Sequence, residues 1–311
     1  MTSASGRIRA AVDVGSNSVH LLVARAEGAR PVHLRDESVL LGLGEVVDRL
    51  GYLPPGSSSG LTRALLAYRD TARRDGAESV TFVATEPLRR SSNAAEVAAE
   101  VRAVTGLPLH VLSAEAEAQL TYLGVLGREV VARPTLVVDI GGGSSEIVLA
   151  LPGQRLLAYS LPSGSARLSA GVVFHDPPTA GELDRLRLGA HTLVGQLPPA
   201  QIEAAHFVGG TATNLAKIVP LSTAGLEQAN ELLTTLAGDE LVERYVVNAR
   251  RARQLPAGAA IVEAIFSRFG LRSAEVSQAS LRDGAIAAAD ALGEAWPDGL
   301  EQLVGSVSSA S

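Results

Sequence analysis

Two glycine-rich turns, each opened by an aspartate, hold the residue types best suited to chemistry in this chain. The first is Asp13-Val14-Gly15-Ser16-Asn17-Ser18, after the apolar run Ile8–Val12. The second is Asp139-Ile140-Gly141-Gly142-Gly143-Ser144-Ser145-Glu146, after Thr135–Val138. An apolar run returns after each turn, Val19–Ala24 and Ile147–Ala150. The pattern is strand, acidic turn and returning strand, written twice. Glycine tolerates positive φ and lets an anion approach backbone N–H groups. An aspartate at a strand end can hold a metal ion or a water. Two such turns facing each other would clamp a phosphate chain and its Mg2+ between two domains.

Three further constellations surround them in sequence. Thr85-Glu86-Pro87-Leu88-Arg89-Arg90-Ser91-Ser92-Asn93 follows the strand-like run Val80–Ala84. Strand ends of open α/β sheets are where ligands bind, and Arg89 could fork onto phosphate oxygens. A solvated loop before a helix accounts for the same residues. Ser113-Ala114-Glu115-Ala116-Glu117-Ala118 starts a helical pattern. Its two glutamates point different ways, so one can face a cleft while the other is solvated. A carboxylate beside bound phosphate suits a general base, though exposed glutamates are common in a first helical turn. Phe207-Val208-Gly209-Gly210-Thr211-Ala212-Thr213-Asn214 carries a strand through a Gly-Gly-Thr turn into a helix, another anion-binding arrangement or a plain turn. The six histidines have no metal-ligand spacing and read as structural.

The elements that must position these groups alternate along the chain. Strand-like runs cover Ile8–Val12, Val19–Arg25 and Val32–Leu41, and the glycines and prolines from 42 to 60 read as a loop. Helical spacing covers Leu61–Asp75, Ala94–Thr105 and Ala114–Gly124. The pattern restarts beyond the 128–134 segment. Helices are then expected at Ala180–Val194, Thr211–Ile218, Ala224–Leu236, Gly238–Arg250, Pro256–Phe269 and Leu281–Leu292, with a strand at Ala274–Ser277. The restart predicts a duplicated pair of α/β domains, 1–130 and 131–295, with a frayed tail at 296–311.

Composition narrows the classes. At 311 residues the chain can form two cores, and its 46% apolar and 19% charged content is that of a globular protein. A net charge of −6 argues against a general nucleic-acid surface. The absence of cysteine excludes disulfides and thiolate metal sites. No apolar stretch approaches the roughly 18 residues of a membrane span, and no signal-type apolar region opens the chain, so a cytoplasmic location is expected. Lys217 is the only lysine, which leaves phosphate binding to arginine forks and backbone amides. The P-loop signature is absent.

Taken in order, these segments resemble the exopolyphosphatase/guanosine pentaphosphate phosphohydrolase (Ppx/GppA) family. Asp13 to Ser18 is similar to its D-x-G-S-N-S/T, and Ala84-Thr85-Glu86-Pro87-Leu88-Arg89 through Asn93 to its T-S-A-x-R…N stretch. Leu112 to Ala118 resembles I-S-G-x-E-E-A, and Asp139 to Glu146 resembles D-I-G-G-G-S-T-E. Leu161 to Leu168, Gly209 to Ala212 and Leu281-Arg282-Asp283-Gly284 resemble later segments, so the likeness runs from about residue 8 to 290. There are departures. Glu86-Pro87 replaces Ser-Ala, Ala114 replaces the glycine and Ala116 the first glutamate.

The resemblance implies two ribonuclease H-like domains of the actin/Hsp70 type with a cleft between them. It implies Glu117 as the catalytic carboxylate, with Asp139 and Glu146 holding Mg2+ or orienting the water, and Asp13 as a further metal ligand. Phosphate contacts are then expected from Gly15, Ser16, Asn17, Ser18, Arg89, Gly141, Gly142, Gly143, Ser144, Ser145, Gly209, Gly210 and Thr211, as well as Asp13. The implied reaction is Mg2+-dependent release of orthophosphate from inorganic polyphosphate, with K+ as a candidate stimulator and a homodimer as the assembly. Guanosine pentaphosphate is the alternative substrate. A sugar-kinase-like phosphotransferase and a non-catalytic nucleotide or alarmone sensor are the rival functions.

Overall fold

Duplication is visible in the sheets. In the computed structural model, which describes residues 6–26, 31–128 and 131–308 (side chains to 305), the chain divides into two compact units. One combines Met1–Val130 with Ala279–Ser311, and the other is Val131–Gln278. The first holds strands β1 (Ile8–Val14), β2 (Ser18–Arg25), β3 (Val32–Leu40), β4 (Ser79–Ala84) and β5 (Leu109–Val111) in the order β3-β2-β1-β4-β5. The second holds β6 (Thr135–Ile140), β7 (Ser145–Ala150), β8 (Leu157–Leu161), β9 (Ala204–Val208) and β10 (Glu275–Val276) in the order β10-β9-β6-β7-β8. Counted within its own unit, each sheet reads 3-2-1-4-5. In each, the first three strands form an antiparallel meander and the fourth lies parallel to the first.

The central strands are continuous apolar runs, and both of their faces are buried. Val12, Leu21 and Phe82 form one core with Leu61, Leu65 and Val97. Leu136, Ile147 and Phe207 form the other with Leu186, Ile261 and Phe266. Among the described residues, no helix is long and apolar enough to cross a membrane.

The structure corrects four expectations. The segment read as a loop from 42 to 60 holds the helix Leu43–Leu50 and the start of the helix Pro55–Arg74. Pro55 opens that second helix, where its missing N–H costs nothing, so the serine and glycine run that follows is helical. The stretch 238–250 is not one helix. Gly238–Tyr245 ends at Val246, which takes a left-handed φ of 54°, and a short helix Ala249–Ala252 follows. Residues 296–308 of the tail form the helix Trp296–Ser308, which buries Trp296, Leu300, Leu303 and Val304, and 309–311 lie outside the described residues.

The fourth correction concerns Leu281–Leu292, which was expected to complete the second domain. It packs instead on β1 and on the helix Ala114–Leu126 of the first unit. Arg282 pairs with Asp36 at 2.6 Å, and His33 meets the buried Asp283 at 2.5 Å. Two glycines allow this close approach. A Cβ at Gly284 would overlap the Leu120 carbonyl oxygen, and one at Gly124 would overlap that of Ser280. Both obstacles are backbone atoms and cannot rotate away. Gly284→Ala is therefore expected to cost roughly 1–3 kcal/mol through overpacking, read as a lower urea midpoint at an unchanged slope.

Candidate functional site

The two acidic turns close in the same way. The Gly15 N–H donates to the Ser18 carbonyl at 3.0 Å, and the Gly141 N–H donates to the Ser144 carbonyl at 3.0 Å. What stands across the hairpin differs. Asp13 on β1 faces His20 on β2, whereas Asp139 on β6 faces Glu146 on β7. Directly opposed residues of an antiparallel pair lie on one face, so the second turn sets two carboxylates side by side.

In the first unit the turn is held from behind. The Asn17 carbonyl accepts from the Leu41 and Gly42 N–H groups, and the Ser16 carbonyl accepts from Gly44 at 2.8 Å. The Ser16 hydroxyl donates to Glu86 Oε2 at 3.0 Å. Ser18 is buried at the start of β2. The expected phosphate contacts of these two serines are through their backbone amides; the Ser16 hydroxyl itself is taken up by Glu86.

The same unit brings Arg89 and Glu117 together. Residues 86–90, read as loop, form a short helix ending in Arg89 and Arg90. Ser113 caps the helix Ala114–Leu126 by accepting from the Ala116 N–H at 3.1 Å. That cap fixes the first turn, leaving Glu115 exposed and Glu117 only 7% exposed. Arg89 Nη1 donates to Glu117 Oε2 at 2.7 Å and to the Leu112 carbonyl at 3.0 Å. The two residues read separately as clamp and base thus form one pair. The guanidinium fixes where the carboxylate points.

In the second unit the glycine turn is braced by the short helix Ser165–Ser169. The Gly141 carbonyl accepts from Ser165, and the Gly142 carbonyl accepts from Ala166 and Arg167. Ser145 is fully buried and donates to the Ser163 carbonyl at 2.9 Å. Thr211, 2% exposed, donates to Ser165 Oγ at 3.2 Å. Both were expected phosphate contacts, and the structure gives their hydroxyls to this brace. Glu146, 3% exposed, accepts from Ser160 Oγ at 2.9 Å.

Beside this turn stands a residue that the sequence reading missed, Arg251. Gly209 takes φ 80°, and a Cβ there would overlap Asp139 Oδ1. A Cβ on Gly210 would overlap the Arg251 guanidinium. The two glycines are therefore the room in which Asp139 and Arg251 fit. Asn248 holds the arginine segment, accepting from the Arg251 N–H, while its own N–H donates to Asn214 at 2.8 Å. Arg251 Nη1 is buried without a hydrogen-bond partner. Burial pushes the Arg251 pKa below the ordinary arginine value, and the Asp139 charge opposes that shift. A buried cation with donor capacity to spare, next to a glycine turn, is an anion site in chemical terms. The signal in the sequence was the arginine run at 250–253 behind an asparagine cap.

A family model decides what the chain belongs to. The Ppx/GppA phosphatase family model matches residues 22–290. The chain belongs to this family. It is a hydrolase of phosphoanhydride bonds, built on two actin-like units. It is 29% identical to exopolyphosphatase 1 of Mycobacterium tuberculosis, with 88% of this chain and 86% of that protein covered. Exopolyphosphatase 1 of Mycobacterium leprae is 27% identical, with 88% and 87% covered. The crystal structure of the Aquifex aeolicus Ppx/GppA family member superposes with a TM-score of 0.80 at 26% identity, covering 93% of this chain and 98% of that one.

The resemblance placed Mg2+ in this Ppx/GppA member at Asp139, Glu146 and Asp13. Among the described residues, no group of three or more His, Cys, Asp or Glu forms a ready metal cage. The donor set nevertheless suits Mg2+, which is commonly held by one or two carboxylates together with substrate phosphates. Asp139 and Glu146, facing across β6 and β7, are such a pair. Asp13 occupies the equivalent strand end of the other unit.

Proposed function

We propose that the chain is an exopolyphosphatase releasing orthophosphate from the end of inorganic polyphosphate. The observation that carries this reading is the buried Glu117 carboxylate, oriented by Arg89 at 2.7 Å. The printed names of its mycobacterial relatives support the choice of substrate. Glu117 takes a proton from a water as that water attacks the terminal phosphorus. The P–O bond to the bridging oxygen breaks, orthophosphate leaves, and the shortened chain departs as an anion. Arg89 holds the carboxylate in line, and Arg251 donates to phosphate oxygens beside the glycine turn. Mg2+, held by Asp139 and Glu146, would neutralise charge on those oxygens.

The test is orthophosphate release from tripolyphosphate and from long-chain polyphosphate, with guanosine pentaphosphate as a third arm. Release from the polyphosphates with Mg2+, and at least tenfold less after chelation, is expected. Release from guanosine pentaphosphate alone would move the substrate. Binding without release in any arm would make the chain a sensor and overturn the reading.

A further inference from the structure

We propose that Glu86 is a specificity-determining residue that weakens the grip of the first turn on phosphate and so limits inhibition by the orthophosphate product. This rests on the phosphate-chain reading above. Glu86 opens the short helix 86–90 at a position where the resembled family pattern has serine. It is 4% exposed, so its carboxylate needs partners to be tolerated. Oε2 accepts from Ser16 Oγ at 3.0 Å, and Oε1 accepts from Arg90 Nη1 at 2.7 Å. Arg90 also reaches Asp48, on the helix Leu43–Leu50, at 2.5 Å. From that same helix the Gly44 N–H donates to the Ser16 carbonyl at 2.8 Å, and a Cβ on Gly44 would overlap Ser16. Ser16 is thereby held on two sides.

The consequence is one of protons and charge. A serine hydroxyl has one proton to donate. Given to Glu86, it is withheld from any phosphate at the turn, which meets only the oxygen lone pairs. Glu86 also places beside the first turn a negative charge that a serine in its place would not add, and that charge opposes an anion there. Grip at this turn falls to backbone N–H groups. The effect is largest on the small, highly charged product, which has no chain contacts elsewhere to compensate.

The test uses the full chain with tripolyphosphate as substrate and orthophosphate as inhibitor. Glu86→Gln keeps the shape and the acceptor for Arg90 but frees the Ser16 proton. It is expected to lower both the KM and the orthophosphate inhibition constant by roughly three- to tenfold, without raising kcat. Glu86→Ser should shift both constants in the same direction, and either variant suffices should the other fail to fold. Adding Ser16→Ala to Glu86→Gln should reverse the gain, which a merely structural role for Glu86 would not produce. Unchanged or raised constants in variants that melt like the wild type would overturn the proposal. If the wild type releases no orthophosphate, the hydrolase reading fails instead. Calorimetric titration with orthophosphate then still decides Glu86, since equal binding by wild type and Glu86→Gln refutes its role.

Discussion

Glu117→Gln is expected to lower kcat by roughly 10²- to 10⁴-fold, the range a positioned general base supplies. Glutamine keeps the length and an oxygen to accept from Arg89, so the pair and the helix cap should persist and the melting temperature should hold. What disappears is the capacity to take a proton. The loss should fall on kcat and kcat/KM alike, because the interaction removed is made in the transition state. Orthophosphate release measured under saturating tripolyphosphate reads kcat directly. Retention of more than a tenth of wild-type turnover would transfer the role of base to another group. Glu115→Gln is the natural comparison. That residue shares the first helical turn but is exposed, and its replacement should leave turnover within twofold.

This contrast shows what was legible in the sequence. Helical geometry alone said that Glu115 and Glu117 diverge; which of them is buried was not legible, and the structure shows it through the Ser113 cap. The twin hairpins were legible because apolar runs and acidic glycine turns are local patterns. So were the strand ends at Ala84 and Val208. Not legible was which turn residues present their side chains to a ligand. Ser16, Ser145 and Thr211 have the chemistry of phosphate donors, yet each hydroxyl is taken up by a partner distant in sequence: Glu86, Ser163 and Ser165. Hydrogen-bond competition of that kind leaves no trace in local pattern.

Assignment of the last elements failed for a related reason. Leu281–Leu292 has ordinary helical spacing, which cannot say which sheet it covers. Its seat is set by Gly124 and Gly284, two glycines far apart in sequence that make sense only as a pair. The tail looked frayed because its polar end dominates the composition. Trp296, Leu300, Leu303 and Val304 nevertheless share one helical face, and that face is buried.

Arg251 was the largest omission, and it carries the second strong expectation. Arg251→Ala should reduce kcat/KM for tripolyphosphate by roughly 10²-fold or more, the scale of losing a preorganised donor to reacting oxygens. Arg251→Lys should recover little, because a flat guanidinium is what fits against Gly210 and an ammonium presents no fork. Stability should move differently. The cost of burying a cation with Nη1 unpartnered and the attraction of the Asp139 charge oppose each other, so its removal should change the melting temperature little. Activity lost while stability is held separates a binding group from a structural ion pair, whose loss would lower both. Gly210→Ala gives an independent route to the same outcome. It removes no charge, yet its Cβ would displace the guanidinium, and activity should fall to a similar degree. Near-normal kcat/KM in both variants would show that phosphate is not held at this turn, and the Asp139–Gly209–Arg251 arrangement would then be a feature of the fold alone.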